Sequence, residues 1–178
     1  MDFNRSHTLK EISQILQCQF IGNEKFPIKG INEIHVVRKG DIVFVDHPKY
    51  YEKALNSAAT VVLINKIVDC PEGKALLISD DPFRDFNKLT IHFNPFIASK
   101  NSIADTAIIG ENTIIQPNVF IGNNVKIGSS CLIHPNVTIY DNTIIGNNVC
   151  IHANTVLGAD AFYYKKRLSG FDKLISGG

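Results

Sequence analysis

From Ile103 onward the chain repeats with a period of six. Every sixth residue is Ile or Leu: Ile103, Ile109, Ile115, Ile121, Ile127, Ile133, Ile139, Ile145, Ile151 and Leu157. Four places after each lead the residue is small or β-branched, as in Val119, Val125, Cys131 and Val137. Gly directly follows the lead five times, at Gly110, Gly122, Gly128, Gly146 and Gly158, and Asn dominates the hexad interiors. Six residues are too few for a helical hairpin and out of step with a heptad. They suit a short strand plus a turn, repeated as the faces of a parallel β-helix. The lead aliphatic points inward, and Gly and Asn at the corners tolerate positive φ. Three hexads close one triangular coil, so ten predict just over three coils of a solenoid in which each coil buries its face on the next.

The first hundred residues follow a different pattern, that of a small α+β domain. Thr8-Leu9-Lys10-Glu11 is a capping box, and Leu9, Ile12, Ile15 and Leu16 then share one helical face. Phe20-Ile21 before Gly22-Asn23 reads as a strand end with a turn. Extended segments are expected over 31–37 and 41–45, around Lys39-Gly40. A short helix is expected over 48–57, with Pro48 in its first turn. The apolar runs 61–65 and 75–79 have strand length. Asp81-Pro82 supplies a cap and a first-turn proline for a helix reaching about Phe93, with Phe83, Phe86 and Leu89 directed to a core.

Charge separates the two patterns. Residues 1–100 hold 25 charged side chains, whereas 103–162 hold five. The change predicts a boundary near 94–102, giving an α+β domain over 1–98 and a β-helix over 99–178. Isoleucine is in excess, with 25 of 178 residues, and nine of these lead a hexad. The net charge of +1 argues against a general nucleic-acid binder. The polar N-terminus is unlike a secretory signal, and no apolar run approaches the roughly 20 residues of a membrane span. The four cysteines form no CxxC pair. They are read as reduced thiols of a cytoplasmic protein, mostly core fillers, with no metal site expected.

Gly40-Asp41-Ile42-Val43-Phe44-Val45-Asp46-His47-Pro48-Lys49-Tyr50 resembles the uridine-binding motif of the UDP-3-O-(3-hydroxyacyl)glucosamine N-acyltransferase family of lipid A biosynthesis. That motif has the form G-D-(I/L)-x-F-x-x-N-P-K-Y. Phe44 and Tyr50 match the aromatic positions that hold the uracil, and His47 stands where the family usually has Asn. Asp81-Pro82-Phe83, the coil 135–140, the loop 158–164 and Lys173-Leu174-Ile175 resemble further family segments in the same order. The loop carries Asp160 and Phe162, with both of the family's inner glycines replaced.

The resemblance implies a left-handed β-helix, active sites between subunits of a homotrimer, and transfer of a 3-hydroxyacyl chain from acyl-carrier protein to the 2-amine of UDP-3-O-acylglucosamine, with no cofactor. A neutral His would take the amine proton while backbone N–H groups hold the oxyanion. In the family this His lies in a later I-A-H-N-V segment beyond the position of Gly178, so the chain is expected to be an N-terminal fragment with an incomplete β-helix and no catalytic residue of its own. The substrate-binding expectations are Phe44, His47, Tyr50, Asp160 and Phe162. Without the motif, Phe44 and Tyr50 read as ordinary core or surface aromatics of the small domain. His47, Asp160 and Phe162 have loop roles as alternatives. His134 and His152 fall at outward hexad positions. His7, His35 and His92 carry no pattern, and Lys165-Lys166-Arg167 reads as a solvated loop. Two other functions fit the repeat: a hexapeptide-repeat acetyltransferase using acetyl-CoA, or a non-catalytic β-helical module that binds nucleotide or trimerises.

Overall fold

The computed structural model describes residues 1–177, and the chain divides into two units. Met1–Pro95 and Tyr163–Ile175 form the first; Phe96–Phe162, with Ser176 and Gly177, form the second.

The first unit is built on one six-stranded mixed sheet. Its strands are β1 (Asp2–Thr8), β2 (Gln19–Ile21), β3 (Pro27–Ile31), β4 (Asp41–Val45), β5 (Val61–Ile64) and β6 (Ala75–Ile78), in the spatial order β1-β3-β4-β5-β6-β2. The four central strands are parallel, and β1 and β2 pair antiparallel at the two edges. Continuous apolar runs such as Val61-Val62-Leu63-Ile64 follow from burial on both faces. Ile42, Val61, Leu63 and Leu77 pack with α1 (Leu9–Leu16) and α3 (Pro82–Phe93). Val43, Val45, Val62 and Ile64 pack on the opposite face with Ala54 of α2 (Tyr51–Leu55).

The helix boundaries follow their caps. The Thr8 hydroxyl accepts from the Glu11 backbone N–H, and the Glu11 carboxylate accepts from the Thr8 N–H, completing the capping box. Asp81 caps α3 by accepting from the Arg84 N–H at 3.3 Å, and Phe83, Phe86 and Leu89 are buried as expected. The extended segment expected over 31–37 is corrected: the strand is Pro27–Ile31, and the residues after it turn. The buried Asp41 carboxylate causes this. It accepts from the Arg38 backbone N–H and the Asn32 side chain, both at 2.7 Å, and so closes the turn. Gly40 ends the turn at φ +100°, a conformation that favours glycine.

In the second unit, strands β7 to β15 are two-residue rungs, from Ile108–Ile109 to Val156–Leu157. They stack into three parallel sheets, β7-β10-β13, β8-β11-β14 and β9-β12-β15. Each residue pairs with the one 18 positions later, as in Ile127 with Ile145. Three hexads therefore make one turn of a β-helix. Lead residues Ile121, Ile127, Ile133 and Ile139 are buried, and Val119, Val125, Cys131 and Val137 fill the second inward column.

Corner chemistry differs from the expectation in one respect. From Ile109 to Ile151, positive φ falls to the residue three places after each lead, an Asn at 112, 118, 124, 136, 142, 148 and 154 and Ser130 in one coil, with φ of 57–64°. Among the glycines after leads, only Gly158 has positive φ. Gly110 and Gly128 are needed for closeness instead: a Cβ on Gly128 would meet the backbone carbon of Gly146 at 2.6 Å.

The expected β-helix over 99–178 is also corrected at its end. Tyr163–Ile175 returns to the first unit, carrying an antiparallel hairpin of β16 (Tyr164–Arg167) and β17 (Gly170–Lys173). No helix among the described residues is long and apolar enough to cross a membrane.

Stacking position predicts different costs for the same truncation. Ile133 is fully buried in β11 between β8 and β14, whereas Ile109 is 36% exposed in an outer rung. Ile133→Ala is expected to cost about 2–5 kcal/mol in urea unfolding, and Ile109→Ala less than about half of that. Equal costs would show that the coils do not support one another as described.

Candidate functional site

A sheet covered on both faces leaves its strand ends for ligands, and open parallel sheets usually bind at the carboxyl ends. At the carboxyl end of β4 lies a pocket of about 340 Å³, within the usual range for small-molecule sites. Phe44 and Tyr50 both line it. Phe44 is half-buried, with its ring centroid 4.7 Å from that of Phe86 and 6.0 Å from that of Phe83. Tyr50 is 49% exposed and closes the short 3-10 turn that follows β4. The strand and this turn thus bring the two expected aromatics to one cavity.

His47 has a different placement. Its Nδ1 accepts from the Lys49 backbone N–H at 3.2 Å and caps the 3-10 turn, and it is not among the pocket-lining residues. Capping is a role that Asn fills readily, so an imidazole here supplies the same acceptor. In the neutral ring this leaves the proton on Nε2. The His47 ring lies 6.1 Å from that of Tyr50. Asp160 and Phe162 belong to the second unit, where the Asp160 carboxylate accepts from the Ser176 backbone N–H at 3.1 Å and Phe162 is 96% exposed.

The pocket includes residues that sequence reasoning did not assign to it: Glu33, His35, Asp46, Lys53, Tyr163 and Leu174. Tyr163 and Leu174 arrive on the returning segment, where the Leu174 N–H donates to the Tyr163 carbonyl at 2.8 Å. Their place in family-like segments was the available signal. The Tyr163 ring packs edge-on against Phe83 at 5.7 Å. Burial, and then the nearby Asp46 charge, push its hydroxyl pKa up, so it stays a donor at neutral pH.

Lys165-Lys166-Arg167 is not a solvated loop. Strand alternation turns Lys165 and Arg167 to one side, where Lys165 meets Asp46 at 2.6 Å and Asp81 at 3.4 Å. Arg167 meets Asp81 at 2.6 Å and Asp172 at 2.7 Å. Burial works against the Asp81 charge, but the Arg84 N–H, Lys165 and Arg167 outweigh it and hold the carboxyl below its usual range. These contacts tie the hairpin to the cap of α3 and to the strand end beside the pocket.

Three cysteines fill the core as expected: Cys131 is buried in the coils, and the half-buried Cys18 and Cys70 pack against the clusters on the two sheet faces, whereas Cys150 is exposed. Cys150 also stands beside His134 and His152 on the outside of the coils, the one grouping with metal-ligand chemistry found among the described residues.

Coils of 18 residues built from aliphatic-led hexads are hexapeptide repeats, and residues 124–159 match the family model described as bacterial transferase hexapeptide (six repeats). Residues 25–92, which contain β4 and the pocket aromatics, match the model of UDP-3-O-(3-hydroxymyristoyl) glucosamine N-acyltransferase, LpxD. Curated proteins named UDP-3-O-acylglucosamine N-acyltransferase are similar as well. The one from Nitrosococcus oceani is 33% identical over 112 residues, covering 62% of this chain and 32% of that protein. The one from Syntrophus aciditrophicus is 31% identical over 112 residues, 62% of this chain and 31% of the relative. That from Cytophaga hutchinsonii is 29% identical over 114 residues, 62% of this chain and 33% of the relative. The chain spans about a third of the length of the curated relatives it matches. It resembles the N-terminal part of the UDP-3-O-acylglucosamine N-acyltransferases, as its motifs implied.

The sign of the Asp81 shift sets a pH test. A carboxyl depressed by folding stabilises the hairpin above its unfolded pKa and loses that contribution as pH falls through the lower folded pKa. Amide-exchange protection of Lys165–Arg167 is therefore expected to fall on acidification below the ordinary carboxylate range. In Asp81→Asn, protection should be lower at neutral pH and should lose this part of its pH dependence. An unchanged profile in that variant would contradict the role given to Asp81.

Proposed function

We propose that this chain serves in N-acyl transfer to UDP-3-O-acylglucosamine, with the pocket at the end of β4 holding the uridine. The observation that carries this reading is the meeting of Phe44 and Tyr50 at one cavity, in a segment with the family's uridine-motif pattern. Flat aromatic faces stack on a base, and each such contact is worth about 1–3 kcal/mol. Glu33 and Asp46 supply acceptors for uracil or ribose donors, the Tyr163 hydroxyl supplies a donor, and Lys53 is the lining cation suited to a phosphate. His47 acts through its turn, positioning Tyr50.

In the reaction so read, a neutral histidine removes a proton from the glucosamine 2-amine, and the amine attacks the thioester carbonyl of a 3-hydroxyacyl chain on acyl-carrier protein. Backbone N–H groups stabilise the oxyanion before the thiol leaves. The general-base histidine is proposed to come from outside residues 1–178. Asp160 and Phe162 are proposed as contacts to the acylated sugar. The finer architecture proposed with this function is a left-handed β-helix within a homotrimer, working in the cytoplasm.

Calorimetric titration of UDP into the purified chain tests the reading. Saturable binding is expected, weakened about fivefold or more by Phe44→Ala or Tyr50→Ala, as loss of a stacking contact worth about 1–3 kcal/mol requires. No UDP binding, or an affinity left unchanged by both substitutions, would overturn it. Binding of acetyl-CoA in place of UDP would favour an acetyltransferase.

A further inference from the structure

We propose that His134, Cys150 and His152 form a binding site for a zinc-class metal ion on the outer surface of the β-helix. Potential donor atoms of all three lie within 4.8 Å of one another. The site is produced by the coil register. Rungs β11 (Leu132–Ile133) and β14 (Cys150–Ile151) pair in parallel, Leu132 with Cys150 and Ile133 with Ile151. The residue after each rung is a histidine, and the 18-residue turn stacks one above the other. Their rings are nearly parallel, at 7°, with centroids 5.3 Å apart. Cys150 and His152 flank the inward-facing Ile151, so strand alternation directs both outward.

The backbone beneath is fixed. The His134 N–H donates to the Ile151 carbonyl and the Leu132 N–H to the Val149 carbonyl, both at 2.9 Å. Neighbouring rungs cannot drift apart without breaking this ladder, so the donors are held together before any ion arrives. Among the described residues, no hydrogen bond or ion pair engages Cys150 Sγ or the ring nitrogens of His134 and His152. All three are therefore available as ligands.

The donor set selects the ion. Two imidazoles and one thiolate suit zinc and its borderline-soft relatives, and are poor ligands for calcium or magnesium, which take oxygen. Zn–N of about 2.0–2.1 Å and Zn–S of about 2.3 Å place tetrahedral ligands roughly 3.5 Å apart. Modest χ rotations of partly exposed side chains close that gap. Binding replaces the thiol proton by the metal, and the proton goes to solvent. Three protein ligands leave the fourth position to water or another small ligand.

Titration with Co2+, a spectroscopic stand-in for zinc, tests the assignment on the whole chain. One equivalent is expected to produce a thiolate-to-cobalt charge-transfer band with tetrahedral ligand-field bands, both bleached by added Zn2+. Cys150→Ser should abolish the charge-transfer band, and His134→Ala or His152→Ala should weaken binding at least tenfold. Cys70→Ser should leave the spectrum unchanged. A measurement on the unsubstituted chain guards against a variant that fails to fold: Zn2+ should protect Cys150 from alkylation, read by peptide mass spectrometry. Absence of the band, its persistence in Cys150→Ser, or unprotected Cys150 at saturating Zn2+ would each overturn the site.

Discussion

Both units of this chain fill their interiors with hydrocarbon, and that constraint decides where chemistry is possible. The sheet of the first unit is covered on both faces, by α1 and α3 on one side and α2 on the other. The coils of the second unit point two columns of aliphatic and small side chains inward on every hexad. Polar function is left with strand ends in the first unit and with the outward-facing positions of the coils in the second. The pocket at the carboxyl end of β4 and the His134, Cys150, His152 grouping lie at such positions.

Local signals carried much of the fold. The capping box at Thr8, the Asp81-Pro82 helix start and the hexad leads each act through near neighbours, and each appears as read. Signals that act at a distance were hidden. Asp41 turns the chain at 32–40 through contacts that no periodicity announces. β1 is a mostly polar edge strand, tied down by the Met1 amine donating to the Ile31 carbonyl at 2.9 Å. Lys165 finds Asp46 across 119 residues, so a basic cluster that reads as solvated becomes a tether.

The candidate site divides in the same way. Phe44 and Tyr50 were legible because they lie six positions apart within one motif, and a strand plus a 3-10 turn brings both to the cavity. Tyr163 and Leu174 reach it only through the return of Tyr163–Ile175 to the first unit. His47 stands in the turn after β4, where its Nδ1 is the cap acceptor, and is not among the residues lining the pocket. The outward histidines gain meaning only from the 18-residue register. Cys150 and His152 are near in sequence, but His134 joins them through coil stacking.

The pocket closed by the returning segment is proposed as a uridine site. Amide chemical-shift mapping of the isotope-labelled chain during UDP addition tests it most directly. Saturable shifts are expected, concentrated at residues 43–53 and at Tyr163 and Leu174. Shifts confined to residues 96–162, or none at saturating UDP, would contradict it.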